Sequence, residues 1–307
     1  MRVAALGRTR MLLEAVRLLV GRGHTVPVVA TCKPVPEHTV GEDDFSALAT
    51  EIGAQFLRTE TLNRDGVVQV LRSAECDVAI SVSWVSKVGA GPIRCFPFGV
   101  LNVHGGDLPR YRGNAPFAWA ILNGERHVGI TVHLMEADDF DSGPIVSKAI
   151  VPVTPDTYIG SLYERLERDT PAMLVGAAEG LVNGTLTPSP QVGSVLRCYP
   201  RRPEDARIDW RRSAEDITRL VRASAEPFSG SYCEYRGQRL VIWRAREERW
   251  EVESMAVPGQ VIERRSTTGS VVVAAGEGLV ELQLISFGSN DRVAPRLVIG
   301  SSRDRLS

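Results

Sequence analysis

Asn102, His104 and Asp141 are the side chains of this 307-residue sequence whose types fit proton transfer beside a carbonyl. Asn102 and His104 stand at the end of an apolar run, Gly99–Val103, that reads as a strand. Alternate strand residues share a face, so the two polar groups project together. Polar groups at the end of a buried run need partners. Bonds to neighbouring backbone would satisfy them, and that reading stays open. Asp141 supplies a second reading. It lies in the acidic loop Glu136–Ser142, between two further apolar runs, Gly129–Met135 and Ile145–Val153. If those runs are strands beside the first, Asp141 approaches His104. An amide donor, a near-neutral base and a carboxylate together suit acyl transfer to an amine. The base accepts the proton that the attacking amine loses. A fixed donor stabilises the negative charge that grows on the carbonyl oxygen. The carboxylate orients the imidazole and favours its charged form. No Ser or Cys nucleophile belongs to the set, and Cys95 reads as core, so a direct transfer without a covalent enzyme intermediate is expected.

The elements that must position these groups follow from periodicity. Strand-like runs Arg2–Gly7, Thr25–Thr31, Gln55–Arg58 and Asp77–Ser83 alternate with helical patterns at Met11–Val20, Asp44–Ile52 and Gly66–Arg72. That alternation predicts parallel pairing and an α/β, Rossmann-like, mostly parallel sheet, with ligands at the carboxyl ends of its strands. Gly7 is followed by Arg8-Thr9-Arg10, which is not a G-x-G-x-x-G cradle, so Gly7 reads as a turn glycine. Ser161–Leu181 predicts a long amphipathic helix. Residues 183–203, rich in Pro, Gly, Ser and Thr, read as a linker between domains spanning 1–182 and 204–307. Beyond it, a helix at Ala214–Ala225 precedes short alternating runs at Ser231–Arg236, Arg239–Arg244, Gly259–Glu263, Ser270–Ala274 and Leu279–Ser286, a pattern that predicts a small barrel or sandwich.

Thirty-six basic residues against 37 acidic ones give a net charge of −1, which gives no support to a nucleic-acid partner. No apolar stretch is long enough for a membrane span. The opening residues read as strand and helix rather than as a signal peptide. Five scattered cysteines without a C-x-x-C pair fit reduced thiols, a cytoplasmic location and no metal site.

Several motifs carry a resemblance. Asn102-Val103-His104, Leu108-Pro109-Arg110-Tyr111-Arg112-Gly113, Ala115-Pro116, Trp119–Gly124, Gly129-Ile130-Thr131-Val132 and Asp141-Ser142-Gly143 resemble the tetrahydrofolate-dependent formyltransferase family over roughly residues 1–180. The later segments Ala206–Trp210, Val221–Ala223, Val241–Trp243 and Pro258-Gly259 resemble the family's C-terminal, OB-like barrel. The resemblance implies 10-formyltetrahydrofolate as donor and an amine as acceptor, with Asn102, His104 and Asp141 as the catalytic set. It implies a pterin cleft walled by Trp84, Val85 and Val88, with a main-chain collar from Ala137, Asp138, Asp139, Phe140 and Asp141; Trp84 reads equally as a core aromatic. The family pattern departs in one turn: Ser-Leu-Leu-Pro is usual after the catalytic His, whereas this chain has Gly105-Gly106-Asp107-Leu108-Pro109.

The acceptor is expected to meet Gly105, Gly106 and Asp107, and also Arg8, Thr9 and Arg10, where arginines could hold a diphosphate. Arg8 and Arg10 as mere helix-start residues remain the alternative. Members that act on tRNA carry a basic inserted loop after the second strand. Here the stretch is TCKPVPEHTVGEDDF, residues 31–45, with Lys33 and His38 but also Glu37, Glu42, Asp43 and Asp44, which speaks against phosphate-backbone binding. Farther on, Arg201-Arg202 and Arg244–Arg246 are offset by Glu247, Glu248, Glu251 and Glu253. The run at 201–205 with Asp209-Trp210 resembles the members that modify amino sugars. The expected acceptor is therefore a nucleotide-linked amino sugar, with a natural-product or siderophore amine, methionyl-tRNA, and non-catalytic folate binding as alternatives. The oligomeric state stays open, a dimer included.

Overall fold

The structure, a computed structural model, describes residues 1–34, 39–250, 255–289 and 291–307. Glu37, His38, Glu251 and Glu253 lie outside the described residues. Two compact units divide the chain. Met1–Pro116, His127–Pro152 and Tyr163–Tyr199 make the first; Phe117–Arg126, Val153–Leu162 and Pro200–Ser307 make the second.

In the first unit, strands β1 (Arg2–Gly7), β2 (Thr25–Thr31), β3 (Gln55–Arg58), β4 (Val78–Val82) and β5 (Val100–His104) are parallel. β1 and β4 are almost wholly buried, as runs covered on both faces must be. Three helices connect the first four strands: α1 (Arg10–Gly21), α2 (Glu42–Ile52) and α3 (Asp65–Ser73). Helix α1 buries Met11, Leu12, Ala15, Val16 and Leu19, one stripe at helical spacing. Acidic residues fill the first turn of α2, where the positive end of the helix dipole favours them, and Gly53 ends it at φ 69°. The short α4 (Ala90–Ile93) leads into β5. A two-residue strand β6 (Arg112–Gly113) and helix α5 (Pro116–Leu122) follow.

The sheet continues through β7 (His127–Leu134) and β8 (Ile145–Pro152) in the order β3-β2-β1-β4-β5-β7-β8. Both added strands are antiparallel to their neighbours. The expected mostly parallel sheet is thus observed, with a hairpin at the edge that carries the chemistry. The acidic loop Glu136–Ser142 lies in the bend of that hairpin. Helix α6 (Ile159–Val182) follows, and then residues 183–199, expected as a linker, fold onto the first unit. Ser189 exchanges backbone hydrogen bonds with Ile145, and β9 (Arg197–Cys198) runs parallel to β6.

The second unit carries α7 (Ala214–Ser224) and an antiparallel sheet among the described residues, in the order β10-β11-β14-β13-β12. Its strands are β10 (Ser231–Tyr235), β11 (Gln238–Glu248), β12 (Val261–Arg264), β13 (Val271–Ala274) and β14 (Leu279–Phe287). The arrangement is consistent with the small barrel expected from the short alternating runs. Ser213 caps α7 by accepting from the Asp216 N–H at 3.1 Å. Ile217 and Val221 of α7 bury against Tyr235, Leu240, Ile242 and Ile285.

Candidate active site

Strand β5 ends with Asn102 and His104 on one face. His133 of β7 lies directly opposite Asn102, and Thr131 opposite His104. Asp141, at φ 56° in the hairpin bend, turns its carboxylate back toward both imidazoles. A short polar Asp tolerates that left-handed backbone better than most side chains. Its Oδ1 lies 3.5 Å from His104 Nδ1 and 3.4 Å from His133 Nε2, and its Oδ2 accepts the Gly113 N–H at 2.8 Å. The structure therefore brings Asn102, His104 and Asp141 together around a fourth group, His133, which is 1% exposed. The Asn102 amide sits 3.2 Å from His133 Nε2, while His133 Nδ1–H donates to the Leu134 carbonyl at 2.9 Å. With Nδ1–H given to the Leu134 carbonyl, Nε2 is the atom that meets both the Asn102 amide and Asp141 Oδ1, and the second amide N–H of Asn102 is left for a ligand.

The electrostatics follow from these contacts. Burial alone would raise the Asp141 carboxyl. The hydrogen bond from His133, the His104 charge and the Gly113 N–H outweigh it and hold the group at about 2. Burial pushes the His104 imidazole below its ordinary value, while Asp141 and the Tyr111 carbonyl act in the opposite direction. At neutral pH the site thus holds a carboxylate beside a neutral imidazole.

The turn after β5 is tied down at several points. His104 Nε2 lies 2.6 Å from the Tyr111 carbonyl, and Thr131 Oγ1 donates to the Gly106 carbonyl at 2.7 Å. Asp107, expected to face the acceptor, has its carboxylate engaged within the protein: Lys148 Nζ lies 2.8 Å from Oδ1, and His127 Nε2 lies 3.4 Å from Oδ2. Lys148 also donates to the Leu108 carbonyl. Gln191, inside the segment expected as a linker, donates to the carbonyls of Asp141 (2.7 Å) and Gly143 (2.8 Å), and accepts from Arg112. Gln191 and His133 are the site residues that sequence reasoning missed. His133 carried a usable signal, a polar residue in an apolar run, whereas nothing in its neighbourhood marks Gln191.

The residues expected to form the pterin wall separate into two groups. Val88 is buried in the core beneath the sheet, and Trp84 packs against the same cluster, its indole N–H donating to Ser86 Oγ at 3.2 Å. Val85 and Phe140 are largely exposed, 44% and 40%, as an apolar rim should be. In the expected collar of Ala137, Asp138, Asp139, Phe140 and Asp141, the Asp138 N–H donates to the Val88 carbonyl and the Asp138 carbonyl accepts from Lys87. The Phe140 N–H is taken by Asp139 Oδ1, which also meets Arg197 at 3.2 Å. The buried Ser81 Oγ has no partner, and Ser81 lies beside Asn102 across β4 and β5. An orphaned hydroxyl beside Asn102, and exposed apolar side chains at Val85 and Phe140, are the kinds of groups that fit a flat heteroaromatic ring with polar edges.

At the carboxyl end of β1, Gly7 has Val82 so close that a Cβ would lie 2.2 Å from the Val82 carbonyl oxygen. Arg8 donates through Nη1 to the Lys33 carbonyl at 2.8 Å, and its Nε is buried without a partner. Thr9 occupies the N-cap position of α1 but makes no side-chain cap; its Oγ1 is also buried and unpartnered. Arg10 is exposed and 3.9 Å from Glu14.

Comparisons with known proteins identify the family. A family model described as formyl transferase matches residues 1–178, and one described as the formyl transferase C-terminal domain matches residues 201–301. The chain is 33% identical to a methionyl-tRNA formyltransferase of Chloroflexus aurantiacus, covering 92% of this chain and 91% of that protein. It is 30% identical to a methionyl-tRNA formyltransferase of Solibacter usitatus over 95% of this chain and 93% of the relative. Among solved structures, an N-formyltransferase from Helicobacter canadensis, bound to folinic acid and dTDP-3-aminofucose, superposes with a TM-score of 0.66 at 15% identity, covering 92% of this chain and 98% of its own. HypX from Aquifex aeolicus superposes at 0.63 and 18% identity; this chain spans 98% of itself but about half of HypX, 49%. The chain belongs to the formyl transferase family, carries both the catalytic and the C-terminal domain of that family, and is a formyltransferase whose membership implies 10-formyltetrahydrofolate as formyl donor.

Proposed function

We propose that this enzyme moves the formyl group of 10-formyltetrahydrofolate to the amine of a nucleotide-linked amino sugar. The observation that carries the acceptor class is the pair of unpartnered buried groups at the start of α1, Arg8 Nε and Thr9 Oγ1. A helix N-terminus with an adjacent guanidinium binds anions, because the first-turn N–H groups and the dipole both favour negative charge. A diphosphate offers enough oxygens to satisfy both orphans. The stretch where members that act on tRNA carry a basic loop supports this reading: its described residues between β2 and α2 include one Lys or Arg, Lys33, and the first turn of α2 carries Glu42, Asp43 and Asp44.

In this reading His104 takes the proton from the attacking amine, with Asp141 stabilising the imidazolium that results. The free N–H of Asn102 points its partial charge at the formyl oxygen as negative charge grows there, an effect on the order of 10²–10³ in rate for one donor. His133 holds the Asn102 amide in place. Val85 and Phe140 would line the pteridine, and Ser81 Oγ would meet a polar edge.

One specific observation favours a second acceptor, methionyl-tRNA: it is the substrate named for relatives 33% identical over nearly the whole chain. The deciding experiment incubates the purified protein and the formyl donor separately with dTDP-, UDP- and GDP-linked amino sugars and with charged initiator tRNA, and follows product mass. Formylation of an amino sugar, with KM raised at least roughly tenfold in Arg8→Ala, supports the proposal. Efficient formylation of methionyl-tRNA, with every amino sugar left unmodified, overturns it.

A further inference from the structure

His104 makes its shortest contact with a backbone carbonyl, Tyr111 O at 2.6 Å from Nε2. A carbonyl only accepts, so Nε2 must carry the hydrogen. In the neutral ring Nδ1 is then the atom with the lone pair, and Nδ1 is the atom that faces Asp141, at 3.5 Å. Protonation at Nδ1 converts the contact into an ion pair; a ring protonated only on Nδ1 would instead turn a lone pair toward the Tyr111 carbonyl.

The contact exists because position 106 has no side chain. A Cβ on Gly106 would stand 2.5 Å from His104 Nε2, 2.7 Å from its Cδ2 and 2.8 Å from the Tyr111 carbonyl oxygen. All three distances lie far inside van der Waals contact, and two of the three atoms belong to the imidazole. Gly106 cannot easily withdraw, since its own carbonyl is held by Thr131 Oγ1 at 2.7 Å and Thr131 is fully buried. Nor can the far side of the turn, where Lys148 bridges Asp107 and the Leu108 carbonyl. Counting back from Pro109, Gly106 stands where the family pattern has Ser. In this chain the docking of the imidazole on Tyr111 therefore depends on the missing side chain at Gly106.

We propose that Gly106 is a positioning residue: the space it leaves lets His104 dock on the Tyr111 carbonyl, which fixes Nε2–H and reserves Nδ1 as the proton-accepting atom. The inference rests on the reading of His104 as the base. The other titratable groups that face the ring are Asp141 from the hairpin bend and His133 from β7.

The test compares wild type with Gly106→Ala and Gly106→Ser, after circular dichroism and thermal unfolding establish that each variant is folded. Long-range 1H–15N spectra of the histidines, with His104→Gln for assignment, report the tautomer directly and need neither donor nor acceptor. Wild type is expected to show neutral His104 as the Nε2–H form, and the variants to lose that preference. In formyl transfer the variants are expected to lose roughly 10- to 100-fold in kcat, with KM for the donor within about twofold, because a displaced base costs rate rather than binding. Loss of the Tyr111 bond removes a contact that favours the charged ring, so the acid limb of the pH profile moves to lower pH by roughly half a unit or more. An unchanged tautomer and pH profile in folded Gly106→Ala overturns the proposal. So does an Nδ1–H tautomer in wild type, which decides the matter even if neither variant folds. His104→Ala separates the two claims: full activity in that variant would sink the reading of His104 as base, whatever Gly106 does.

Discussion

Asp141 in the first unit and Glu281 in the second are both buried carboxylates, and they differ in the company they keep. The Glu281 side chain is 2% exposed and accepts from Ser270 Oγ at 2.6 Å, from Arg265 Nη1 at 2.9 Å and from Arg246. Burial pushes its carboxyl up, but Ser270 and the two guanidiniums outweigh this and bring it below the usual value. Glu248 shares Arg265 Nη1 with Glu281, at 3.0 Å, and Glu263 meets Arg265 Nε at 2.9 Å. Guanidiniums do not deprotonate in any ordinary pH range, so this network keeps its positive partners and fastens β11 and β14 to each other and to Glu263 of β12. Asp141 faces two imidazoles, a side-chain type that can take up a proton and give it back. A buried carboxylate with permanent partners is a fixed tie; one with titratable partners can stabilise a proton in transit.

Exchanging charge for neutrality at each place should break the comparison cleanly. Asp141→Asn is expected to lower kcat by about 10²–10⁴, the range for disabling general-base chemistry, with a much smaller change in unfolding free energy. Glu281→Ala is expected to leave kcat of the folded enzyme within about twofold while lowering the stability of the second unit by about 2–3 kcal/mol in urea titrations. That cost stays below the figure for a fully buried pair, since Arg246 is 62% exposed and can return to water. Equal losses of stability with little loss of rate at both positions would show that Asp141, too, is only a tie.

The pH dependence sharpens the same contrast. The Asp141 carboxyl is depressed in the folded state to about 2 from an ordinary value near 3.9. Its contribution to stability is present above about pH 4 and is lost as pH falls through about 2, so it sets no limb in the working range. His104 is shifted downward, so the acid limb of kcat/KM should lie below the ordinary imidazole value of roughly 6.5. In Asp141→Asn residual activity the limb should move lower still, because a carboxylate that favours the imidazolium has gone. The acceptor amine titrates identically with both enzymes, so its own limb stays in place. A wild-type acid limb near pH 8 that Asp141→Asn leaves unmoved would remove His104 from the role of base.

The contrast also shows what the sequence made legible. Apolar runs marked nearly every strand, because β1, β2, β4 and β5 are buried on both faces and leave a continuous hydrophobic signature. Asn102 and His104 stood out against that signature, and Asp141 was found because its acidic loop interrupts two apolar runs. His133 obeys the same logic and was overlooked inside Gly129–Met135, where a single His looks like tolerance. Strand direction is not encoded in periodicity; for β7 and β8 it lies instead in the short link between Leu134 and Ile145, too short for a parallel crossover. Gln191 was illegible for a different reason. Its partners, the carbonyls of Asp141 and Gly143, are about 50 residues away. The surrounding Pro, Gly and Ser composition looks the same whether a segment spans open space or is stitched by side-chain bonds to a loop.

The smallest expected effect concerns Asp107, which the sequence placed against the acceptor. Its carboxylate is 26% exposed and meets Lys148, equally exposed, and His127, 49% exposed. Pairs this wet contribute at most about 1 kcal/mol, since water and salt screen them. Asp107→Asn keeps an acceptor oxygen for Lys148, whose second bond to the Leu108 carbonyl continues to hold the turn. Stability should fall by less than about 1 kcal/mol. The acceptor KM should change by less than about threefold, the wild-type difference shrinking further at high salt. A tenfold or larger rise in acceptor KM with donor KM unchanged would mean that the carboxylate leaves Lys148 to meet the substrate amine. Asp107 would then resemble Asp141, a charge held in reserve for the reaction, rather than Glu281.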